Sequence, residues 1–262
     1  RATALTEANI GAGLSAALAP VFISIFQRIG LGWRAALTPA FVLFAMMLAA
    51  FGRTPVYNTH QPDKGHAVSQ ARAGLPWMYK AYWCCILLFV ALEWSLGTWG
   101  ADFMVSVNGL SKVDAAIVMG LYAGAAILSR ISSSRLTHRL DTEKILLISL
   151  GLCALGFPFF WLARSVPLSI AGMVVAGLGV TNLYPLTMTL ALGAASRQID
   201  LASARLSLAV GLAGMSAPYL LGWIADQVGL MRAFAIAPIF LLAGFAGTLL
   251  INRLRARQLQ PV

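Results

Sequence analysis

Residues 80–105 read KAYWCCILLFVALEWSLGTWGADFMV. Between Lys80 and Asp102 the only charged side chain is Glu93. Coiled as α-helix, the stretch rises about 39 Å, enough to cross a hydrocarbon core of roughly 30 Å. A membrane β-strand needs about ten residues and alternates polar with apolar side chains; this run does neither. It reads as a transmembrane helix with one acid near its middle.

The same pattern recurs outward from this stretch in both directions. Spans are expected at Leu5 to Phe26, Arg34 to Phe51, Lys80 to Val105, Val113 to Ser132, Ile145 to Ala163, Val166 to Leu192, Leu206 to Ala225 and Ala233 to Ile251. Composition agrees: of 262 residues 59% are hydrophobic and 11% charged, where soluble domains carry roughly a quarter charged, and the mean hydropathy is +0.79. The fold class is all-α, a polytopic transmembrane helical bundle.

A net charge of +10 raises a nucleic-acid partner, but the distribution of the charge gives another account. An even number of spans puts both chain ends on one side. That side receives fourteen of the nineteen Lys and Arg residues, leaving Arg28, Arg34, Lys112, Arg164 and Arg232 opposite. Cytoplasmic loops concentrate Lys and Arg, so both ends are expected in the cytoplasm. The basic balance encodes orientation, and no nucleic-acid partner is expected. Cys84, Cys85 and Cys153 lie inside spans without metal-ligand spacing, and His60, His66 and His138 lie in loops. Neither a metal nor a cofactor is expected. Gly177-Leu-Gly179 is placed inside a span, where small residues allow close helix approach.

An internal repeat is visible at an offset of 198 residues, with Gly13 on Gly211, Leu14 on Leu212, Pro20 on Pro218, Arg34 on Arg232 and Ala35 on Ala233. The chain starts at Arg1, with neither an initiator methionine nor a signal region. With the second half starting near Trp77, a repeat of that length predicts a fragment, preceded in the whole protein by four further spans.

The chain resembles the major facilitator superfamily of secondary transporters, whose twelve helices form two six-helix halves joined by a longer loop. The resemblance covers helices five to twelve. Residues 1–52 correspond to the last two helices of the first half, 53–76 to the central cytoplasmic loop, 77–257 to the second half, and 258–262 to a cytoplasmic tail. The segment SRISSSRLTHRLDTEK, residues 129–144, is similar to the family's loop signature Gly-Arg-x-x-x-Gly-x-Leu-x-Asp-Arg-x-Gly. Arg130, Leu136 and Arg139 match; Ser129 and Ser134 stand for the glycines, and His138 for the usual acid. NLYPLTMTLALG from Asn182 and SARLSLAVGLAGMSAPYLLGWIAD from Ser203 resemble the tenth and eleventh helices. The resemblance implies a bacterial inner-membrane protein that carries a small solute by alternating access. It also implies a gating role for Arg130 and Arg139.

Glu93 then falls on the seventh helix, one of those that line the central cavity in the family. An acid at the centre of a span costs about 2.5–3.5 kcal/mol on insertion scales, and such acids face a bundle interior or a water-filled cavity. Low-polarity surroundings let it hold and release a proton. Tyr82, Ile86, Phe89, Gly97 and Gly100 share its helix face, flanked by Trp94 and Trp99. The competing reading is helix glue, a hydrogen bond to a neighbouring span. On the tenth helix Thr181, Asn182 and Tyr184 cluster before Pro185, where a backbone carbonyl is freed; a solute contact and a self-satisfied proline kink both fit. Asp102 and Asp114, near span ends, are expected to be solvated or ion-paired. The expected activity is proton-coupled transport, with Glu93 carrying the proton and Trp99, Asn182 and Tyr184 touching the solute. A membrane-embedded enzyme is not expected, because it would need several convergent acids or nucleophiles at depth. A non-transporting scaffold of the same fold is the alternative. A charged Glu93 disfavours an anionic solute; a protonated one does not.

Overall fold

The computed structural model describes residues 29–52 and 74–259, together with Phe22, Ile25 and Phe26. The expected first span Leu5 to Phe26, most of the loop 53–76 and the end of the tail therefore lie outside the described residues, as do Gly13, Pro20, His60 and His66. The chain divides into two compact units, residues 1–69 and 70–262.

In the first unit a helical turn, Gly32–Ala35, precedes helix α1, Thr38–Phe51. Pro39 sits within the first turn of α1, where a missing N–H costs nothing. At fourteen residues α1 is shorter than the expected Arg34 to Phe51 span, because the chain breaks at Ala36 and Leu37.

Among the described residues the second unit holds six long helices, α2 Trp77–Ser106, α3 Lys112–Leu136, α4 Thr142–Leu162, α5 Val166–Ala194, α6 Ile199–Val228 and α7 Ile236–Leu259, and two short helical turns, Ser196–Gln198 and Leu230–Ala233. Each contains a stretch long and apolar enough to cross a bilayer, and no strand occurs among the described residues. Connections are short, which makes sequential helices antiparallel. Ser111 caps α3 reciprocally: its Oγ accepts from the Asp114 backbone N–H at 3.1 Å and donates to Asp114 Oδ2 at 2.7 Å. Asp114 is thus a capping residue, and Asp102 is exposed near the end of α2. After α6 the chain turns at Gly229, whose φ of +85° suits a residue without Cβ.

The repeat read from the sequence has a counterpart in secondary structure. Shifted by 198 residues, the turn Gly32–Ala35 falls on the helical turn Leu230–Ala233, and the start of α1 at Thr38 falls on the start of α7 at Ile236.

Two helices organise the second unit. α2 packs against α3, α5, α6 and α7, while α5 packs against α2, α3 and most extensively α4. The α4–α5 crossing brings backbone against backbone. A Cβ on Gly156 would lie 2.7 Å from the Gly172 carbonyl oxygen, and one on Gly179 would lie 2.7 Å from the Cys153 nitrogen. Gly179 thus serves close packing as its position suggested, and Gly177 receives the ring of Tyr122 from α3. α2 is tied to α6 by three donors that accept no alternative in lipid. Tyr79 Oη donates to the Ala202 carbonyl at 2.8 Å, Trp83 Nε1 to Arg205 at 2.9 Å, and Trp99 Nε1 to Pro218 at 2.8 Å. Near the opposite end, Phe103 of α2 stacks against Phe160 and Phe234 with centroids 4.7 and 5.1 Å apart.

The outer surface is apolar. Leu208, Leu212, Met215, Tyr219 and Trp223 lie along one exposed stripe of α6, a face that suits acyl chains rather than water. Cys84 is exposed within α2, Cys85 and Cys153 are buried, and all three are free thiols.

Candidate functional site

The site is built where α2, α3 and α5 meet. Glu93 lies near the middle of α2 and its side chain is 22% exposed; Arg130 Nη2 of α3 stands 4.0 Å from its Oε1. Arg130 falls inside the span expected at Val113 to Ser132, in a segment that also resembles the family's loop signature. The structure places it within α3, which continues to Leu136 before the turn begins at Thr137. Nothing between Ser129 and Leu136 breaks a helix, so polar residues extend it past the apolar run that marked the span. Arg130 is therefore a helix residue, six positions or about 9 Å from the end of α3.

Helix geometry directs it inward. Side chains on an α-helix tilt toward the N-terminus, and the N-terminus of α3 is the distant end. Arg130 is thereby aimed toward the bundle middle and Glu93 rather than toward the nearer helix end.

The buried face of α3 beside it carries Val118, Tyr122, Ala125, Ser129 and Ser133 at helical spacing, and this face meets α5. Asn182 Nδ2 donates to Ser129 Oγ at 2.6 Å and approaches the Ser129 carbonyl at 3.4 Å; Ser129 Oγ in turn donates to the Leu178 carbonyl. The Asn182 amide is thus engaged by α3, and Thr181 Oγ1 bonds back to Gly177 at 2.9 Å. The Asn182 bonds join α5 to α3, whereas the Thr181 bond is internal to α5.

Tyr122 is 8% exposed, and its hydroxyl has no hydrogen-bond partner among the described residues. It lies within electrostatic reach of Glu93, Cys153 and Arg130. Tyr184, half-buried on α5, comes within the same reach of Glu93.

Of the residues singled out in the sequence, Arg130 and Tyr184 come within electrostatic reach of Glu93, and Asn182 is joined to α3 through Ser129. Trp99 and Arg139 do not join them. Trp99 faces α6, with its indole N–H on Pro218 and its ring over Gly222; Arg139 is exposed in the α3–α4 turn. Sequence reasoning missed Tyr122 and passed over Ser129 as a glycine replacement. Helical spacing offered the one available signal, because both fall on the face of α3 opposite its apolar exposed residues. No group of three or more His, Cys, Asp or Glu able to hold a metal occurs among the described residues.

Six membrane-length helices, an apolar exterior and an ion pair turned inward define a polytopic integral membrane protein. The family model of the Major Facilitator Superfamily matches residues 1–191 and 133–261, so the chain belongs to that superfamily. It is 26% identical over 88% of its length to an uncharacterized MFS-type transporter of Yersinia pestis, of which it covers 59%. It is 27% identical over 69% of its length to a glucose/galactose transporter of Brucella abortus, covering 44% of that protein. An uncharacterized transporter of Sinorhizobium fredii is 26% identical over 54% of the chain, which covers 38% of it. The chain spans about half the length of the curated relatives it matches.

Proposed function

We propose that the whole protein is a secondary active transporter of a small polar solute, driven by protons and working by alternating access. The carrying observation is the placement of Glu93, an intramembrane carboxylate turned toward Arg130 rather than toward lipid. Intramembrane acids so placed mark proton or substrate pathways. Family membership supplies the two-bundle rocking motion about a midplane site. In this reading Glu93 binds a proton while the site is open to one compartment and releases it to the other. The polar groups of Tyr122, Tyr184 and the Asn182–Ser129 network form one wall of the solute site. Coupling follows if proton and solute have different affinities in the two facings. The end of the bundle that carries Trp77 and the α3–α4 turn is cytoplasmic, since Arg135 in the last turn of α3 and Arg139 in the loop gather there. Exposed Arg139 is available to close that side in the outward-facing state.

The test uses the full-length protein in vesicles with a solute panel that includes glucose and galactose, the sugars in the name of the Brucella relative. Uphill accumulation should collapse with a protonophore. Glu93→Gln should abolish accumulation while sparing exchange of internal for external solute. Accumulation by Glu93→Gln equal to that of the parent protein would remove Glu93 from the mechanism.

A further inference from the structure

The guanidinium of Arg130 is a planar fork of five N–H donors, and a carboxylate normally meets such a fork through two parallel bonds of about 2.8 Å. Here a single pair of atoms approaches, and only to 4.0 Å, with the Arg130 side chain 46% exposed. Arg130 makes no other ion pair or hydrogen bond among the described residues. Its tilt along α3 keeps it from the nearer helix end. About two turns back along α3 and within electrostatic reach of Glu93, the Tyr122 hydroxyl, a donor, is buried without an acceptor among the described residues, as are the Tyr82 and Ser95 hydroxyls of α2. The site therefore presents an underused cationic fork, an idle neutral donor and a carboxylate that can be neutralised by a proton.

We propose that this site takes a monovalent organic anion, whose carboxylate replaces Glu93 on the Arg130 fork, with Tyr122 as a further donor, while Glu93 takes up one proton. The proposal rests on the transporter reading and names its substrate class. Charge closes at both stages. Without substrate, Glu93 carboxylate faces Arg130 guanidinium and the pair is neutral. With substrate, the anion faces Arg130, Glu93 is a neutral acid, and the sum is again zero. The proton comes from the compartment to which the site is open, forms the only new covalent bond at a Glu93 oxygen, and leaves on the other side as Glu93 reclaims Arg130. A neutral solute fails this balance, since protonating Glu93 would strand Arg130 without a counter-charge inside the bilayer.

The groups facing Glu93 fit such an exchange. Arg130 and Tyr122 come from α3, Cys153 from α4 and Tyr184 from α5. α6 and α7, which also pack on α2, bring no charged group into its electrostatic reach among the described residues. Among the described residues Arg130 is thus the cation within reach of Glu93 and able to hold an incoming anion once Glu93 is neutral.

Matched solutes test the assignment. The full-length protein is reconstituted in phosphatidylethanolamine and phosphatidylglycerol vesicles enclosing a pH-sensitive dye. It is then offered gluconate, glucuronate and pyruvate, or the neutral sugars glucose and galactose. Carboxylates should acidify the interior with one proton per anion, unaffected by a clamped membrane potential, and the sugars should not. Glucuronate binding should weaken by about tenfold per pH unit once Glu93 is ionised in the free protein. In Glu93→Gln that pH dependence should vanish while binding persists. Arg130→Gln should abolish binding, and if it does not fold, Tyr122→Phe should raise the glucuronate Kd severalfold. Acidification by glucose or galactose but by no carboxylate would overturn the anion assignment and leave a proton-coupled transporter standing. Acidification by neither class would overturn the assignment together with the reading beneath it.

Discussion

At residue scale, the interior of the bundle treats polar groups in two ways. Some are closed into networks, as where Asn182 holds Ser129 and Ser129 holds the Leu178 carbonyl. Interhelical hydrogen bonds of this kind contribute about 0.6–2 kcal/mol in membranes. Asn182→Ala and Ser129→Ala should therefore each lower thermal stability by about that amount, and the double variant should be no worse than the more damaging single one, because both remove the same bond. Strict additivity in a detergent melting assay would show that the two side chains act separately. Others are left open, among them the Tyr82, Ser95 and Tyr122 hydroxyls and the loose Glu93–Arg130 pair. Glu93 was legible in the sequence because a lone acid in an apolar run stands out. Its partner was not, because which residues meet across two helices depends on their rotation and relative height, and neither leaves a trace in a single sequence. For the same reason Trp99, on the same helix as Glu93, turned out to face α6.

At the scale of elements, hydropathy located all six spans of the second unit but misjudged their ends. It reports the portion of a helix that sits in lipid, whereas the helix continues through Ser and Arg until a turn stops it. Thus α3 runs to Leu136 instead of Ser132, and α6 starts at Ile199 instead of Leu206. Packing between elements turns on small residues at a few points. A side chain at Gly156 would strike α5 backbone, while one at Gly151 or Gly120 would meet nothing within 4 Å. Gly156→Val should prevent recovery of monodisperse protein, since backbone cannot give way as a side chain can. Gly151→Ala and Gly120→Ala should behave as the parent. Equal yields for all three would contradict the close α4–α5 crossing.

At the scale of the molecule, the charge asymmetry predicts orientation. In a full-length protein lacking Cys84, Cys85 and Cys153, a thiol placed at His138 should be shielded from an impermeant reagent added outside cells. Thiols placed at Lys112 or Arg164 should react. The reverse pattern would invert the topology and with it the assignment of the α3–α4 turn to the cytoplasm. The repeat at 198 residues was also legible in the sequence, and the matched starts of α1 and α7 give it a structural form.

The central claim is that the Glu93 face of α2 borders a passage open first to one side and then to the other. Gly97 lies one turn along that face, exposed, with nothing within 4 Å of a Cβ built there. In a full-length background with every cysteine replaced, Gly97→Cys should react with an impermeant thiol reagent applied from either side of the membrane. A thiol that reacts from neither side would place this face against lipid and contradict the account.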